Sequence, residues 1–159
     1  MSDVLESLSG LVVPMAAEPL LLPNVAVAEL AGYRLTQAAL TGPDWFLGWT
    51  SWRGQQVPII DPDELLGDAG ESPRSVPRTL ILNAIGQRAG LEFIALRINA
   101  IPRSKRVVRG EITAAAGPVG EFTSQLVQLA DEQHKMRIPD LLAIENALVQ
   151  AGVLGASAT

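Results

Sequence analysis

Leu47-Gly48-Trp49-Thr50-Ser51-Trp52-Arg53-Gly54-Gln55-Gln56-Val57-Pro58-Ile59-Ile60-Asp61 is the stretch on which the fold turns. Trp45–Trp52 and Gln56–Ile60 read as strands flanking Arg53-Gly54-Gln55, a tight turn in which Gly54 can take a positive φ without a steric penalty. Next, Asp61-Pro62-Asp63-Glu64-Leu65-Leu66-Gly67 reads as a short helix with an N-cap acid, proline at the first helical position and a terminating glycine. Capping accounts for the three clustered acids, so neither a metal site nor an acid/base pair is needed to explain them. Trp49 and Trp52 point to opposite sides of an extended strand. Both can be buried only if that strand is covered on both faces; otherwise one of them is exposed, the usual place for an interface hot spot.

Outward from this hairpin the chain keeps the same texture. Leu8–Met15 and Leu20–Leu30 are apolar runs joined by Ala16-Ala17-Glu18-Pro19, and a period of two puts Val25, Val27 and Glu29 on one face. Arg78–Ile85 and Leu91–Ile101 flank Gly86–Gly90, with Ile94, Leu96 and Ile98 on one face and Arg97 and Asn99 on the other. Asp140–Val149 reads as a second helix, carrying Leu141, Ile144 and Leu148 at helical spacing. Both helices follow a short apolar strand with proline near its end, Val57–Ile60 and Met136–Pro139, an echo that hints at two similar halves. Gly67–Pro77 is turn-forming and reads as an internal hinge, Gly110–Gly120 as a second flexible stretch, and 152–159 as a frayed tail. Many short strands with frequent turns imply a small β-barrel or a pair of them.

Composition removes most chemistry. The chain has 159 residues, 48% of them apolar, with no cysteine, one histidine and a net charge of −5, which is globular and leaves no disulfide, thiolate zinc site or cysteine nucleophile. His134 sits in a polar turn-like run with no second histidine or cysteine to share a metal. No nucleophile elbow, Walker loop or dinucleotide fingerprint is present. The first ten residues carry Asp3 and Glu6 and no base, the reverse of a secretory leader, and Leu11–Ala31 is broken by Pro19, Pro23 and three polar residues, so a cytoplasmic protein is expected. Charge is unevenly spread: residues 1–72 hold ten acids and two bases, 73–110 eight bases and one acid, 111–159 six acids and two bases. The basic run Arg103–Arg109 raises the alternative of a single-stranded nucleic-acid binder, but only seven aromatics in the chain could serve as stacking platforms.

The opening stretch resembles the signature of the CheW-like family: a glycine, a strand, Arg-Gly, then Val/Ile-Pro-Val/Ile-Ile/Val-Asp. Leu20–Gly32 resembles that family's strand ending in Val-x-Glu-Ile/Leu, and Phe93–Val108 and Met136–Leu148 fit its second half in weaker form. The resemblance implies an all-β fold over residues 8–150, two intertwined five-stranded SH3-like β-barrels on a shared apolar core, hinged near 67–77 and flanked by tails at 1–7 and 152–159. It implies a non-catalytic adaptor, with no cofactor, metal or nucleic acid and no direct membrane insertion. Its partners would be a chemoreceptor cytoplasmic tip and the regulatory domain of a CheA-type histidine kinase. By position, Val27 and Glu29 would border the receptor groove and Gly48 and Arg53 would lie on its facing hairpin. Glu29 and Arg53 would pair across it, while Gly48 leaves room for a partner backbone. Trp49 and Trp52 stand where the family carries smaller aliphatics and would reshape the groove. Leu20–Leu30 looks most like the ChpC-type relatives of type IV pilus systems, which act in twitching motility.

Overall fold

The computed structural model describes residues 7–67, 77–117 and 119–153. The expected hinge and tails fall largely outside them, although Ser7 opens a strand and Val153 is buried in the core.

Two six-stranded sheets form the molecule. The central sheet takes β3 (Val27–Gly32), β4 (Gln37–Ala38), β5 (Phe46–Trp52), β6 (Gln55–Ile60), β7 (Arg78–Arg88) and β8 (Leu91–Ile98), in the order β3-β7-β8-β6-β5-β4. The terminal sheet joins the two ends of the chain. It takes β1 (Ser7–Val13) and β2 (Leu20–Pro23) with β9 (Arg103–Val108), β10 (Ile112–Ala114), β11 (Thr123–Leu129) and β12 (Met136–Pro139), in the order β10-β11-β12-β2-β1-β9. Five strands per barrel were expected; β4 and β10, two and three residues long, supply the sixth in each sheet. Helix α1 (Pro62–Leu65) follows β6, and α2 (Leu141–Gln150) follows β12. Among the described residues no helix is long and apolar enough to cross a membrane.

The echo in the sequence is a repeat in the fold. Each sheet pairs two antiparallel hairpins through one parallel contact, Ile59↔Ala95 in the central sheet and Arg137↔Leu20 in the terminal one. The β5–β6 and β11–β12 hairpins even carry a register shift at the same place, after Phe46 and after Thr123. Both end in an N-cap aspartate whose N–H donates to the carbonyl of an aromatic residue just before the hairpin, Asp61 to Trp45 and Asp140 to Phe122, each at 2.8 Å. Asp61 accepts from the N–H groups of Asp63 and Glu64, and Asp140 from that of Ala143, the bonds that helix starts require. The two sheets therefore differ by a permutation: the terminal sheet draws its equivalent of β7–β8 from the start of the chain.

Runs such as Leu20-Leu21-Leu22 are apolar throughout because the strands are covered on both faces. Leu20 and Leu22 enter a core shared by the sheets, with Leu80, Leu82, Ile94, Leu96 and Ile98, while Leu21 enters a core private to the terminal sheet with Val12, Val127 and Met136. Val57, Ile59, Ile81 and Ala95 form the private core of the central sheet.

One expected strand is split. Leu20–Leu30 breaks at Pro23 into β2 and β3, joined by a 3-10 turn over Asn24–Ala26, and the halves enter different sheets. Proline lacks the N–H a continuing ladder needs, and Val25 is left 85% exposed instead of sharing a face with Val27 and Glu29. The third hairpin is also tighter than Gly86–Gly90: β7 runs on to Arg88, across a register shift with Gln87 at φ 54° and Gly90 at φ 81°. Within the expected flexible stretch 110–120 lies the short strand β10.

Candidate partner-binding site

The β5–β6 hairpin turns on Arg53 and Gly54 alone, since Trp52 pairs with Gln55. Both residues have positive φ, 49° and 77°, the pair of values a two-residue turn needs to match strand twist. That conformation costs a non-glycine residue on the order of 1 kcal/mol. At Arg53 the guanidinium lies over the Trp52 ring, 4.6 Å from its centroid, and Nη2 donates to Glu29 Oε1 at 3.3 Å. Glu29 is on β3, an edge strand of the same sheet, so the pair joins the two ends of the sheet and closes it around its private core. Between Val27 and Glu29 the β3–β7 register shifts. Val27 packs on the shared core while Glu29 reaches outward to the hairpin.

Trp52 is half-buried, held edge-on by Phe93 at 4.7 Å between ring centroids and covered by Arg53. Trp49 faces the other way. It is 6% exposed, lies in the shared core and meets Phe46 edge-on at 5.7 Å. Opposite faces for the two indoles follow from the strand period.

Gly48 has φ 137°, and a Cβ there would sit 2.2 Å from the Gln37 carbonyl oxygen and 2.8 Å from the Ala39 nitrogen. The room beside Gly48 is thus filled by this chain's own β4, which pairs Ala38 with Gly48. Thr36 anchors β4 here: its N–H and hydroxyl both donate to the Trp49 carbonyl, at 2.8 and 3.1 Å. Glu29, Trp52 and Arg53 therefore form one outward surface, Val27 flanks it, and Gly48 and Trp49 support it from behind.

Sequence reasoning missed Thr36 and Phe93. Thr36 carries no pattern of its own. Phe93 stands two residues from Ala95, on the face opposite Ile94 and Leu96, and that alternation could have placed it beside Trp52.

The other candidates have structural duties. Asp61 caps α1, and Asp63, buried, accepts from Ala16 N–H at 3.0 Å in the β1–β2 connection. Among the described residues no three His, Cys, Asp or Glu side chains are placed to hold a metal ion. Residues 103–108 of the basic run become β9, whose cations are engaged, and Arg109 opens a 3-10 turn. Arg103 donates to Glu132 at 2.7 and 3.3 Å, Lys105 meets Asp131 and lies 3.2 Å from Glu132, and Arg106 donates to Ser7. The hydrogen bond from Arg103 holds the Glu132 carboxyl below the usual carboxylate range, Lys105 does the same for Asp131, and both cations are shifted up in return. His134 lies in the β11–β12 turn, where its carbonyl accepts from Gln128.

Residues 9–148 match the model of the CheW-like domain family. No curated protein matches the chain. Among solved structures the fold is similar to the crystal structure of the scaffolding protein TtCheW from Thermoanaerobacter tengcongensis, with a TM-score of 0.69, 19% identity and 84% of each chain covered.

Proposed function

The chain belongs to the CheW-like domain family, and from that premise we propose that it is a non-catalytic adaptor joining a chemoreceptor cytoplasmic tip to the regulatory domain of a CheA-type histidine kinase. Its work is cytoplasmic, where such tips and kinases meet. The observation that carries this reading is the Glu29–Arg53 pair laid over the half-buried Trp52, an acid and a base presented together with an indole beneath them where the central sheet closes. With side-chain exposures of 41% and 69%, the pair contributes at most about 1 kcal/mol to folding, so its value lies in holding a surface ready. Aromatic and arginine side chains are the groups that dominate interface energetics. Val27, Glu29, Trp52 and Arg53 make the contact; Gly48 and Trp49 set the strand that carries it. The likeness of Leu20–Leu30 to ChpC-type relatives supports twitching motility as the output.

Titration of the protein with the CheA-type regulatory domain of its own host, alongside Arg53→Ala and Glu29→Ala, tests the reading. Micromolar binding is expected, with the far-UV spectrum of both variants unchanged. A loss of about tenfold in either variant would place the kinase contact in the groove that Glu29 and Arg53 border, and undiminished binding would place it outside. Absence of binding at high concentration would overturn it.

A further inference from the structure

Among the described residues nearly every cation has a partner. Arg53 meets Glu29, Arg88 meets Asn146, Arg103 and Lys105 meet the Asp131–Glu132 turn, Arg137 meets Glu18, and Lys135 donates to the Ala116 carbonyl. Arg34, Arg78 and Arg97 differ. Among the described residues none of their guanidinium groups has a carboxylate or hydrogen-bond partner, and that of Arg97 instead stacks over Tyr33 at 5.1 Å. All three lie at one end of the central sheet, where Gly32 pairs with Arg78 and Thr79 with Arg97, and Arg34 follows two residues after β3.

A cleft of about 440 Å³ opens beside Arg34, lined by Tyr33, Arg34, Ser51, Trp52 and Thr79 among others and, among the described residues, by no acid; Arg97 borders it through the Tyr33 ring. Thr79 is 2% exposed, yet among the described residues its hydroxyl has no hydrogen-bond partner, and the Trp52 indole N–H has none either. Buried polar groups left without partners are costly and uncommon. Here they sit beside uncompensated positive charge, in a chain whose net charge is −5.

We propose that this end of the central sheet is a docking site for an acidic protein segment, one carboxylate entering the cleft onto Arg34 above Thr79 and Trp52, and a neighbouring one engaging Arg97. Planar guanidinium groups suit carboxylates in two-bond geometry. Nucleic acid fits less well because stacking needs free ring faces. Here the Tyr33 ring is covered by Arg97, and Trp52 lies between Arg53 and Phe93. The proposal does not require the adaptor reading, and its failure would leave that reading standing.

Trp52 lines the cleft, so intrinsic fluorescence reports on it. A blocked tetraglutamate peptide, titrated at about 20 mM salt to limit screening, is expected to give a saturable change, while tetraglutamine gives none. Binding should fall about tenfold or more in Arg34→Ala with Arg97→Ala, should weaken in Thr79→Val, which alters no charge, and should persist in Lys135→Ala. An equal response to both peptides, no response to tetraglutamate at millimolar concentration, or tighter binding of an oligothymidine would overturn the proposal.

Discussion

The central and terminal sheets follow one plan and close it with opposite polarity. In the central sheet the acid lies on the edge strand, Glu29 in β3, and the base at the hairpin tip, Arg53. In the terminal sheet the bases lie on the corresponding edge strand, Arg103 and Lys105 in β9, and the acids in the β11–β12 turn, Asp131 and Glu132. The terminal closure gathers four charges, with Lys105 and Glu132 largely covered. The central closure is a single exposed contact with an indole beneath it. A backbone plan used twice has put its charge to two uses: one rim satisfies itself, and the other faces outward.

The comparison breaks hardest at the helices, which cross between the halves. Helix α1 belongs to the central half but sends Asp63 to Ala16 in the β1–β2 connection of the terminal half, whereas α2 belongs to the terminal half but sends Glu145 to β7. Glu145 is fully buried and accepts from the N–H groups of Ile85 at 2.7 Å and Gly86 at 3.0 Å. Glu145→Ala is expected to cost about 3–5 kcal/mol in chemical denaturation, since it strands two backbone donors at once. Asp63→Ala, which strands the Ala16 N–H, is expected to cost about 1–2 kcal/mol. Equal losses would mean that the two latches are equivalent after all.

Gly48→Ala comes next. Overlap with the Gln37 carbonyl and a positive φ together predict a loss of about 2–3 kcal/mol, or detachment of β4 seen as lost amide protection at Ala39. Full retention of both would mean that β4 is not held as described.

The smallest effects separate the two rims. Because the Glu132 and Asp131 carboxyls titrate below their ordinary range, their contribution to stability is complete above that range and is lost as the pH falls through the lowered values. Glu132→Gln should therefore lower the melting temperature at neutral pH, and the gap from the parent protein should close in strong acid. A gap independent of pH would show that the cluster is not the cause. Arg53→Ala should change stability by less than about 1 kcal/mol while weakening the partner, which is the contrast the two rims predict.

Much of this was legible in residues. The β5–β6 hairpin and its helix were readable because Arg-Gly, the apolar run and Asp-Pro each determine local geometry independently of the rest of the chain. The opposite faces of Trp49 and Trp52 followed from the strand period, but which of them is covered depended on the second sheet. The split at Pro23 was hidden because Leu20–Leu30 is apolar on both sides of it, and strands bound for different sheets look alike when both are buried. Gly48 was read as space for a partner because its neighbour β4 is two residues long and has no hydrophobic pattern. Glu145 was missed although its signal was present: it occupies the apolar stripe of Leu141, Ile144 and Leu148, where an acid is tolerated only with partners of its own.

The permutation of the terminal sheet also sets the order of events on the ribosome. β1 pairs with β9, and β2 meets β12, so the first hairpin made has both its neighbours nearly a hundred residues or more downstream. At ordinary elongation rates it waits on the order of ten seconds with its apolar edges unpaired. Meanwhile the central sheet, whose strands form an unbroken run from β3 to β8, can assemble as it emerges. The portion of the chain most in need of a chaperone is thus its beginning, and the step that completes the fold is the return of its end.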